Sequence, residues 1–395
     1  MARSRSPIIP AKTKPSPLNE ATVQPLLIRE VSAIAVSVPL TKPVLMGGGQ
    51  RFDRSESLIV RIEAHNGLVG WGEASAAPSM TGENLAGMVY AVKHYLAPRL
   101  MGKNGLDLPY QILTMGQGLI GNQGAKAACD IALHDLVGQY LQVPVVQLLG
   151  GKARESVLTQ YQLGNPNIEQ DIAEARHSWK KGYRFFKLKV GVKSVEQEIL
   201  AAHKIRKALG PDALLCADAN MGLSSAHAHA YVQGVASCGL MFLEQPFGDE
   251  DIEKMAELGR SSPVDLCADE SIHGINNIFE CHKAGPIKGV NLKTIKLGGL
   301  IQTQRAAIIS DGLGLCVDLA SKTGESSIAV AALTHLAYAI PNLHWGLNIN
   351  NHYLQTDLVD NPLQQVNASV ACPTGPGLGV RVNEKLIRAF TIIPH

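Results

Sequence analysis

Acidic and basic residues almost balance in this sequence, so a strong charge of one sign is absent. Lysine and arginine total 36 against 34 for aspartate and glutamate, and the formal net charge is +2 at pH 7. Outside a short N-terminal stretch there is no basic block. A protein that binds nucleic acid mainly through its phosphates needs a clustered positive surface. We therefore expect no nucleic-acid partner.

Long apolar runs are absent as well. A helix that crosses a bilayer needs about 20 predominantly apolar residues, and no segment approaches that length. Residues 1–25 are rich in Pro, Ser, Lys and Arg and lack the apolar core of a secretory signal. The sequence predicts no membrane partner, and we interpret residues 1–26 as a disordered N-terminal tail.

Cysteine is scarce and shows no pairing pattern. There are seven cysteines, an odd number, and no C-x-x-C motif. Several of them lie inside apolar, strand-like runs. Disulfide frameworks are typical of secreted proteins, whereas cytosolic proteins keep their thiols reduced. We expect reduced thiols in the core of a cytoplasmic protein.

The sequence does contain enough apolar material for a large core, since 46% of its 395 residues are hydrophobic and 18% are charged. This length fits a barrel with one accessory domain. The first 150 or so residues predict an antiparallel sheet with helices, an α+β unit. Its signals are alternating patterns at residues 27–40 and 57–64, a hairpin turn at Asn66-Gly67, and helical patterns at residues 83–100 and 123–141.

Residues 43–54, between the first two strands of this unit, have Gly47-Gly48-Gly49 at their centre. Three consecutive glycines do not hold one conformation by themselves. The sequence therefore predicts a mobile loop, which is either a lid over an active site or an ordinary surface loop.

From residue 157 onward, short apolar runs alternate with amphipathic helical stretches. Eight runs occur, and consecutive starts are 24 to 30 residues apart. This repeat is typical of a (β/α)8 barrel of the TIM type, an α/β fold. A doubly wound open sheet would normally carry a glycine-rich phosphate loop after its first strand, and here that strand ends in Gly164-Asn165-Pro166. The runs start at Val157, Arg184, Leu214, Leu240, Val264, Lys288, Leu315 and Leu343.

Three consecutive strands of the predicted barrel end in a carboxylate: Asp218, Glu244 and Asp269. A single aspartate after a strand is more often a turn residue or a helix cap. Three of them at the carboxyl ends of adjacent strands, where barrel enzymes place their chemistry, would repel one another unless a cation were bound. Oxygen ligands without histidine or cysteine favour a hard ion, so we expect Mg²⁺, with Mn²⁺ as a substitute.

Lysines end the strands on either side of this trio. Lys187 and Lys189 end the second strand and Lys293 ends the sixth. Since these strands are half a barrel apart, Lys189 and Lys293 should face each other across a bound acid. Repulsion between Lys187 and Lys189 is expected to lower a lysine pKa towards neutrality. The predicted reaction removes a proton next to a substrate carboxylate, with the facing lysines as base and acid.

Together these motifs resemble those of the enolase superfamily, and more narrowly its muconate lactonizing enzyme subgroup. The resemblance covers nearly the whole chain after the tail. It implies that Asp218, Glu244 and Asp269 are metal ligands and that Lys189 and Lys293 are the acid/base pair. The matching segments are K-L-K ending at Lys189, D-A-N from Asp218, L-E-Q-P around Glu244, A-D-E-S around Asp269 and N-L-K-x-x-K-L-G-G from Asn291.

The resemblance also implies roles for the neighbours of this set. Lys187 would support Lys189, Glu270 would lie beside the metal ligands, and Lys296 would lie behind them. Cycloisomerases of the subgroup have an acidic residue where this chain has Asn348, and dipeptide epimerases have Asp-x-Asp where it has Asn348 and Asn350. Amides carry no charge, so this departure disfavours a cationic substrate amine at this point and also disfavours plain muconate cycloisomerase activity. Substrate contacts or support are expected from Lys187, Asn220, Glu325, Asn348 and Asn350.

The same resemblance implies a division of the chain. Residues 27–150 would form the α+β capping domain, with a specificity loop at residues 42–54. Residues 151–360 would form the catalytic barrel, and residues 361–395 a segment that returns to the cap. Relatives are commonly dimers or octamers, so a homo-oligomer is expected.

Several functions remain open at this point. The site suits a cycloisomerase that acts on a small carboxylate substrate, a racemase or epimerase of an N-modified amino acid or other carboxylate, and a dehydratase with the same half-reaction. A class I aldolase with Lys293 as a Schiff-base amine is an alternative from a different class. A binding protein without activity is disfavoured because both lysines and all three carboxylates are intact.

Overall fold

A computed structural model describes residues 24–45 and 51–394, and it begins with an antiparallel sheet. The sheet has the order β1-β2-β3, with β1 (Ile28–Leu45), β2 (Arg51–Ala64) and β3 (Val69–Ser75). Gly67 adopts a φ of +84° in the turn between β2 and β3, a conformation that glycine adopts without a steric penalty. The hairpin predicted at this turn is confirmed.

The first two strands are longer than the sequence predicted. Their pairing resumes beyond a register shift, so that Val44 lies opposite Phe52. The prediction of a loop over residues 43–54 is therefore wrong at both ends, because β1 and β2 continue to hydrogen-bond where glycine and proline content suggested a break. Gly47–Gly49 lie outside the described residues.

The N-terminal region also contains helices that pack against the sheet. They are α1 (Pro78–Thr81), α2 (Leu85–Ala91), the π-helical segment Val92–Leu96, α3 (Ala97–Leu100), α4 (Leu108–Gly118), α5 (Gln123–Leu141) and α6 (Val145–Leu148). The alanine-rich α5 is buried over most of its length and lies directly against β3. A Cβ atom at Gly72 would lie 2.0 Å from the backbone oxygen of Ala128, so glycine is required for this close approach.

Eight parallel strands follow, each beside the next in chain order, and the predicted barrel is confirmed. The nitrogen of Leu347 in the last strand donates to the oxygen of Leu158, just before the first, at 2.9 Å, which nearly closes the barrel. The strands are β4 (Gln160–Leu163), β5 (Phe185–Lys189), β6 (Leu214–Asp218), β7 (Leu240–Glu244), β8 (Leu266–Ala268), β9 (Ile287–Leu292), β10 (Cys316–Ala320) and β11 (Leu343–Asn348).

Helices connect these strands and form the outer layer of the barrel. One of them, α8, begins with a capping box in which the Ser194 side chain accepts from the Gln197 nitrogen. The helices are α7 (Ile168–Lys180), α8 (Val195–Leu209), α9 (Ser225–Gly234), α10 (Ile252–Ser261), α11 (Ile275–Ala284), α12 (Thr294–Leu297), α13 (Leu300–Gly312) and α14 (Ser327–Ala339). Short 3₁₀ segments occur at Ala236–Cys238 and Asn351–Tyr353, and the chain ends with β12 (Gln365–Val366), β13 (Ser369–Val370) and α15 (Glu384–Phe390).

Aromatic rings fill the barrel interior below its mouth. The rings of Phe242 and Trp345 stack at 4.3 Å between centroids, and Phe185 packs on Phe242. These rings form a floor beneath the polar residues of the mouth, since the Lys187 amine lies 5.8 Å above the Phe242 ring. All seven cysteines are free, and six of them are buried, as predicted.

Both ends of the described chain contact the N-terminal region. Leu26 is buried and its nitrogen donates to the Asn104 side chain at 2.9 Å, so the predicted disordered tail is wrong for residues 24–26. Residues 1–23 lie outside the described ranges. At the other end, the nitrogen of Ile392 donates to the oxygen of Ala35 in β1 at 2.9 Å.

No helix within the described ranges combines the length and the apolar character that crossing a membrane requires.

Candidate active site

The carboxyl ends of the barrel strands surround a small cavity with an unusual density of charge. Most residues that the sequence singled out line it, whereas Glu270, Lys296 and Glu325 lie outside its lining. The lining residues are Met80, Gln162, Lys187, Lys189, Asp218, Asn220, Glu244, Asp269, Asn291, Lys293, Ala320, Ser321, Lys322, Thr323, Asn348 and Asn350.

Three carboxylates lie side by side on one wall of this cavity. Asp218 and Glu244 are register partners at the ends of β6 and β7, and Asp269 directly follows β8. Burial raises the pKa of Glu244, and the neighbouring negative charges of Asp218 and Asp269 raise it further. The three groups are therefore close enough to repel one another.

Each carboxylate contacts a lysine. Lys187 Nζ lies 2.5 Å from Glu244, Lys189 Nζ lies 2.5 Å from Asp218, and Lys293 is paired with Asp269. In the described part of the chain, no three histidine, cysteine or acidic side chains converge as the ligands of one metal ion, because an amine lies against each acid. Cation binding therefore requires these side chains to turn towards a common point.

The donor set still fits a hard cation in its chemistry. All three acids offer oxygen, which Mg²⁺ prefers. Asn291 orients one of them by donating to Glu244 Oε1 at 2.7 Å. Beside the trio, Glu270 accepts from Asn220 at 3.1 Å through one oxygen, and its buried Oε2 has no hydrogen-bond partner in the described structure. A cation near Asp269 would offset this concentration of negative charge.

The lysine pair of β5 differs from the sequence-based expectation. Burial by itself would lower the pKa of Lys187, but the charges of Glu244 and Asp318 outweigh it and raise the pKa well above its ordinary value. The prediction that repulsion lowers it towards neutrality is therefore wrong for Lys187. Lys189 has different partners from Lys187, since its amine contacts Asp218 and donates to Asn220 Oδ1 at 2.6 Å.

Behind the trio, Lys296 is fully buried and fixes Asp269. Its amine lies 2.5 Å from Asp269 Oδ1 and donates to the oxygen of Asn291 at 3.0 Å. Because Lys293 also contacts Asp269, this one carboxylate holds two lysine amines in place.

Asp318, a buried residue in the middle of β10, was not predicted as part of the site. Its carboxylate lies 3.4 Å from the Lys187 amine and accepts from Gln160 at 2.6 Å. Chemistry was expected at the ends of the strands, and Asp318 lies two residues before the end of β10. The available signal was an aspartate between apolar residues in a barrel strand, since a buried acid needs a compensating partner.

Glu325 lies at the junction between the N-terminal sheet and the barrel rather than in the cavity. Its carboxylate accepts from the backbone nitrogens of Ser75 at 3.3 Å and Lys322 at 3.0 Å. The neighbouring Glu73 accepts from the nitrogen of Ser326 at 3.0 Å, where α14 begins. Burial, with the charge of Glu73, raises the pKa of Glu325 to about 7.

We expect Glu325→Gln to change how stability depends on pH. A pKa raised from 4.5 to about 7 gives stability that is complete below pH 4.5 and lost as the pH rises through 7. At pH 8 this loss lowers the free energy of unfolding by about 3 kcal/mol. Glutamine does not ionise, so the variant does not show this loss. Urea unfolding at pH 5 and pH 8 should show that the free energy of unfolding of the variant, relative to that of wild type, is higher at pH 8 than at pH 5. Glu257→Gln, on the exposed side of α10, is the control, and a difference that is equal at both pH values would contradict this expectation.

Comparisons with known proteins agree with this geometry. Residues 28–150 match the model of the mandelate racemase / muconate lactonizing enzyme N-terminal domain. Residues 170–386 match the enolase C-terminal domain-like model. These two matches account for most of the chain.

Relatives that align with this chain over nearly their whole length belong to the same family. Muconate cycloisomerase 1-1 of Acinetobacter lwoffii is 30% identical over 92% of this chain and 96% of its own length. The N-succinyl-L-Arg/Lys racemase of Bacillus cereus is 29% identical over 92% of this chain and 98% of its own. The muconate lactonizing enzyme of Pseudomonas fluorescens, solved with muconolactone, superposes with a TM-score of 0.88 and 26% identity, covering 93% of this chain and all of the other. The chain therefore belongs to the mandelate racemase / muconate lactonizing enzyme family and joins its N-terminal domain to an enolase-like barrel.

Proposed function

We propose that this protein is an isomerase that removes a proton next to a substrate carboxylate, with Lys189 and Lys293 as base and acid. One observation carries this proposal. Lys189 ends β5 and Lys293 follows β9, four strands away in an eight-stranded barrel, and both line one cavity with three carboxylates. An acid bound at those carboxylates through a cation would present opposite faces of its α-carbon to the two amines.

Members of the family generally use a divalent metal. We propose Mg²⁺, for which Mn²⁺ can substitute, with Asp218, Glu244 and Asp269 as the ligands. The ion would hold the substrate carboxylate and stabilise the negative charge that forms on its oxygens. Asp269 would keep Lys293 directed into the cavity, while Lys296 anchors Asp269 from behind.

The remaining residues of the site would position the reacting groups. Asn220 holds the Lys189 amine by accepting from it at 2.6 Å, and Asn291 holds Glu244. Lys187 is paired with both Glu244 and Asp318, which favours a supporting role over proton transfer. A well-placed acid or base contributes typically about 10²–10⁴-fold to a rate, so the fixed positions of both amines matter.

Cycloisomerisation of a muconate-like acid is the first candidate reaction, because several relatives are named for it. The Acinetobacter lwoffii relative, at 30% identity, is named a muconate cycloisomerase. In the forward direction, one carboxylate would add to the diene and a lysine would protonate the α-carbon that results.

Racemisation of an N-acylated amino acid is the second candidate. The Bacillus cereus relative is named for this activity and is nearly as similar, at 29% identity. Two lysines that approach from opposite faces suit removal of the proton on one side and its return on the other. Asn348 and Asn350 line the cavity as uncharged amides and would accommodate an acyl group rather than a free amine.

We propose a cytoplasmic homo-oligomer, a dimer or an octamer, that acts on a small carboxylate. Residues 27–150 and the returning segment at residues 361–395 would form its capping domain, and residues 151–360 its catalytic barrel. The absence of a basic block in the sequence supports a small-molecule substrate over nucleic acid.

Proton NMR in D₂O with Mg²⁺ tests the proposed function. Muconates, N-succinyl amino acids and hydroxy acids form the panel. A racemase will place deuterium at the α-carbon of recovered substrate, whereas a cycloisomerase will give a lactone that carries one deuterium. Incubation with a Lys189→Ala, Lys293→Ala double variant is the control. Turnover by the double variant at the wild-type rate would show that the proposal is wrong.

A further inference from the structure

Lys322 differs from every other lysine that lines the cavity. It lies in the loop after β10, and its side chain is partly buried. Lys187, Lys189 and Lys293 each contact a carboxylate. Across the described ranges, the Lys322 amine has neither an ion-pair partner within 4.0 Å nor a hydrogen-bond acceptor.

The loop that carries Lys322 is held firmly in place. The backbone nitrogen of Lys322 donates to Glu325 at 3.0 Å. Its neighbour Ser321 donates from its nitrogen to the oxygen of Asn348 at 2.8 Å, and Asn350 Nδ2 donates back to the oxygen of Ser321 at 3.1 Å. The amine itself lies 5.2 Å from the centre of the Phe52 ring on β2. The position of this cation is therefore set by the barrel and by the N-terminal sheet together.

The charge of Lys322 is not balanced by its surroundings. Burial lowers the pKa of its amine and Lys293 adds to this, while Glu325 and Glu56 act in the opposite direction without prevailing. Among the four lysines of the cavity wall, Lys187, Lys189 and Lys293 are each paired with a carboxylate, so an anionic group of the ligand is the partner that would balance Lys322.

A substrate with two acid groups could place one at the carboxylate trio and the other at Lys322. The positions of these two places in the barrel determine how far apart the acid groups must be. The trio lies at the ends of β6, β7 and β8, whereas Lys322 follows β10, next to Asn348 at the end of β11. Strand β10, which Lys322 follows, is three strands from β7 in the eight-stranded barrel. A carboxylate held at the trio would leave the far end of the substrate beside Lys322, with the α-carbon between Lys189 and Lys293.

We propose that Lys322 binds a second acid group of the substrate, remote from the carboxylate at the metal ligands, and thereby selects dianions. This inference rests on the proposed function for the placement of the first carboxylate. A charge-assisted hydrogen bond between an amine and a carboxylate is short and strong, and among the described residues no acceptor already occupies the Lys322 amine.

Calorimetric titration of the Mg²⁺-loaded protein with matched acids tests this role. One pair is 2,4-hexadienedioate (muconate) and 2,4-hexadienoate of the same double-bond geometry, and the other is N-succinylglycine and N-butyrylglycine. Within each pair the chain length is equal and one acid group is missing. We expect wild type to bind the dianion of at least one pair about tenfold more tightly than its monoanion.

Substitutions of Lys322 separate its charge from its shape. Lys322→Met should abolish the preference for the dianion and leave monoanion affinity unchanged, while Lys322→Arg should retain the preference. Lys254→Met is the matched control, because Lys254 also lies over a phenylalanine ring, at 4.5 Å from that of Phe247, but outside the cavity. Equal affinities within both pairs for wild type, or an unchanged preference in Lys322→Met, would overturn the inference.

Deuterium exchange distinguishes this inference from the function on which it rests. With a dianion that exchanges, Lys322→Met should raise KM about tenfold and leave kcat within a few-fold of wild type. A collapse of kcat at constant KM would instead make Lys322 a proton carrier and would overturn the binding role. Failure of the proposed function would appear as no exchange by wild type with any acid, even where calorimetry still detects the dianion preference.

Discussion

Lys189→Met and Lys293→Met proteins will each lose proton transfer at one face of the substrate, with rates reduced about 10²–10⁴-fold at that face. The reason is the arrangement of the two strands: Lys189 ends β5 and Lys293 follows β9, half a barrel apart. Methionine has an unbranched apolar side chain about as long as the carbon stem of lysine, and it lacks the amine. Rates of deuterium uptake from D₂O, measured for each enantiomer of a chiral acid, will report the two faces separately.

The pattern of loss between the two variants also separates the candidate reactions. A racemase needs both amines, so each variant should still exchange the α-proton of one enantiomer and form no product of opposite configuration. A cycloisomerase uses one amine for proton transfer, so one variant should be nearly inactive and the other should keep substantial turnover. Either pattern supports the lysine mechanism, and near-wild-type rates in both variants would contradict it.

A control must separate catalysis from folding, because Lys189 compensates Asp218 at 2.5 Å. Lys193→Met is suitable, since Lys193 lies in the loop after the same strand and its amine donates to the oxygen of Asn165, outside the cavity that Lys189 and Lys293 both line. Lys189→Met and Lys293→Met should unfold at lower temperatures than Lys193→Met, because each removes the amine that pairs with a buried carboxylate, so rates are compared at a temperature at which all three proteins are folded. If activity falls only in proportion to the fraction of folded protein, the loss says nothing about proton transfer.

The sequence was sufficient to predict the barrel and the residues at its mouth. Strands such as β6 and β7 are short apolar runs that end in a single acidic residue, Asp218 and Glu244, so both the strand and the acid at its mouth end are visible in one pattern. The eight-fold repeat then determines which ends are neighbours and which lie opposite. This is why Lys189 and Lys293 could be placed across from each other without coordinates.

Features that depend on pairing between distant segments could not be predicted in this way. The pKa of Lys187 depends on Asp318, 131 residues further along the chain, and nothing local to Lys187 indicates it. The extension of β1 and β2 to Val44 and Phe52 depends on a register shift that glycine and proline content conceals. Lys322 was visible as a loop residue, but only the folded cavity shows that its amine has no ion-pair partner in the described part of the chain.

Removal of the divalent metal will abolish exchange, and Asp269→Asn will do so even at saturating Mg²⁺. Asp269 is one of the three proposed ligands and contacts both Lys293 and Lys296. Burial alone would raise its pKa, but these two amines hold it well below its usual range. A carboxylate that remains ionised in a buried site is suited to a cation, and asparagine replaces that charge with a neutral amide.

The same substitution should lower the free energy of unfolding by about 3–5 kcal/mol, because it leaves two buried amines without their shared counter-charge. A depressed carboxylate pKa gives stability that is present above the unfolded value of 3.8 and lost as the pH falls below it. The difference in free energy of unfolding between variant and wild type should therefore be constant from pH 5 to 8 and become smaller below pH 4. Asp311→Asn, an exposed residue of α13, is the control and should unfold like wild type at every pH.

Urea unfolding with and without Mg²⁺ tests the metal site independently of activity. At an Mg²⁺ concentration of 100 times Kd, the free energy of unfolding of wild type should rise by about 2.7 kcal/mol, and EDTA should reverse this increase. The Asp269→Asn protein should show little or no gain, since it lacks a ligand. Unfolding of wild type that is unaffected by Mg²⁺, together with turnover that survives EDTA, would exclude the metal-assisted reaction. It would support a Schiff base on Lys293 instead, which borohydride would trap as a covalent adduct whenever a carbonyl substrate is bound.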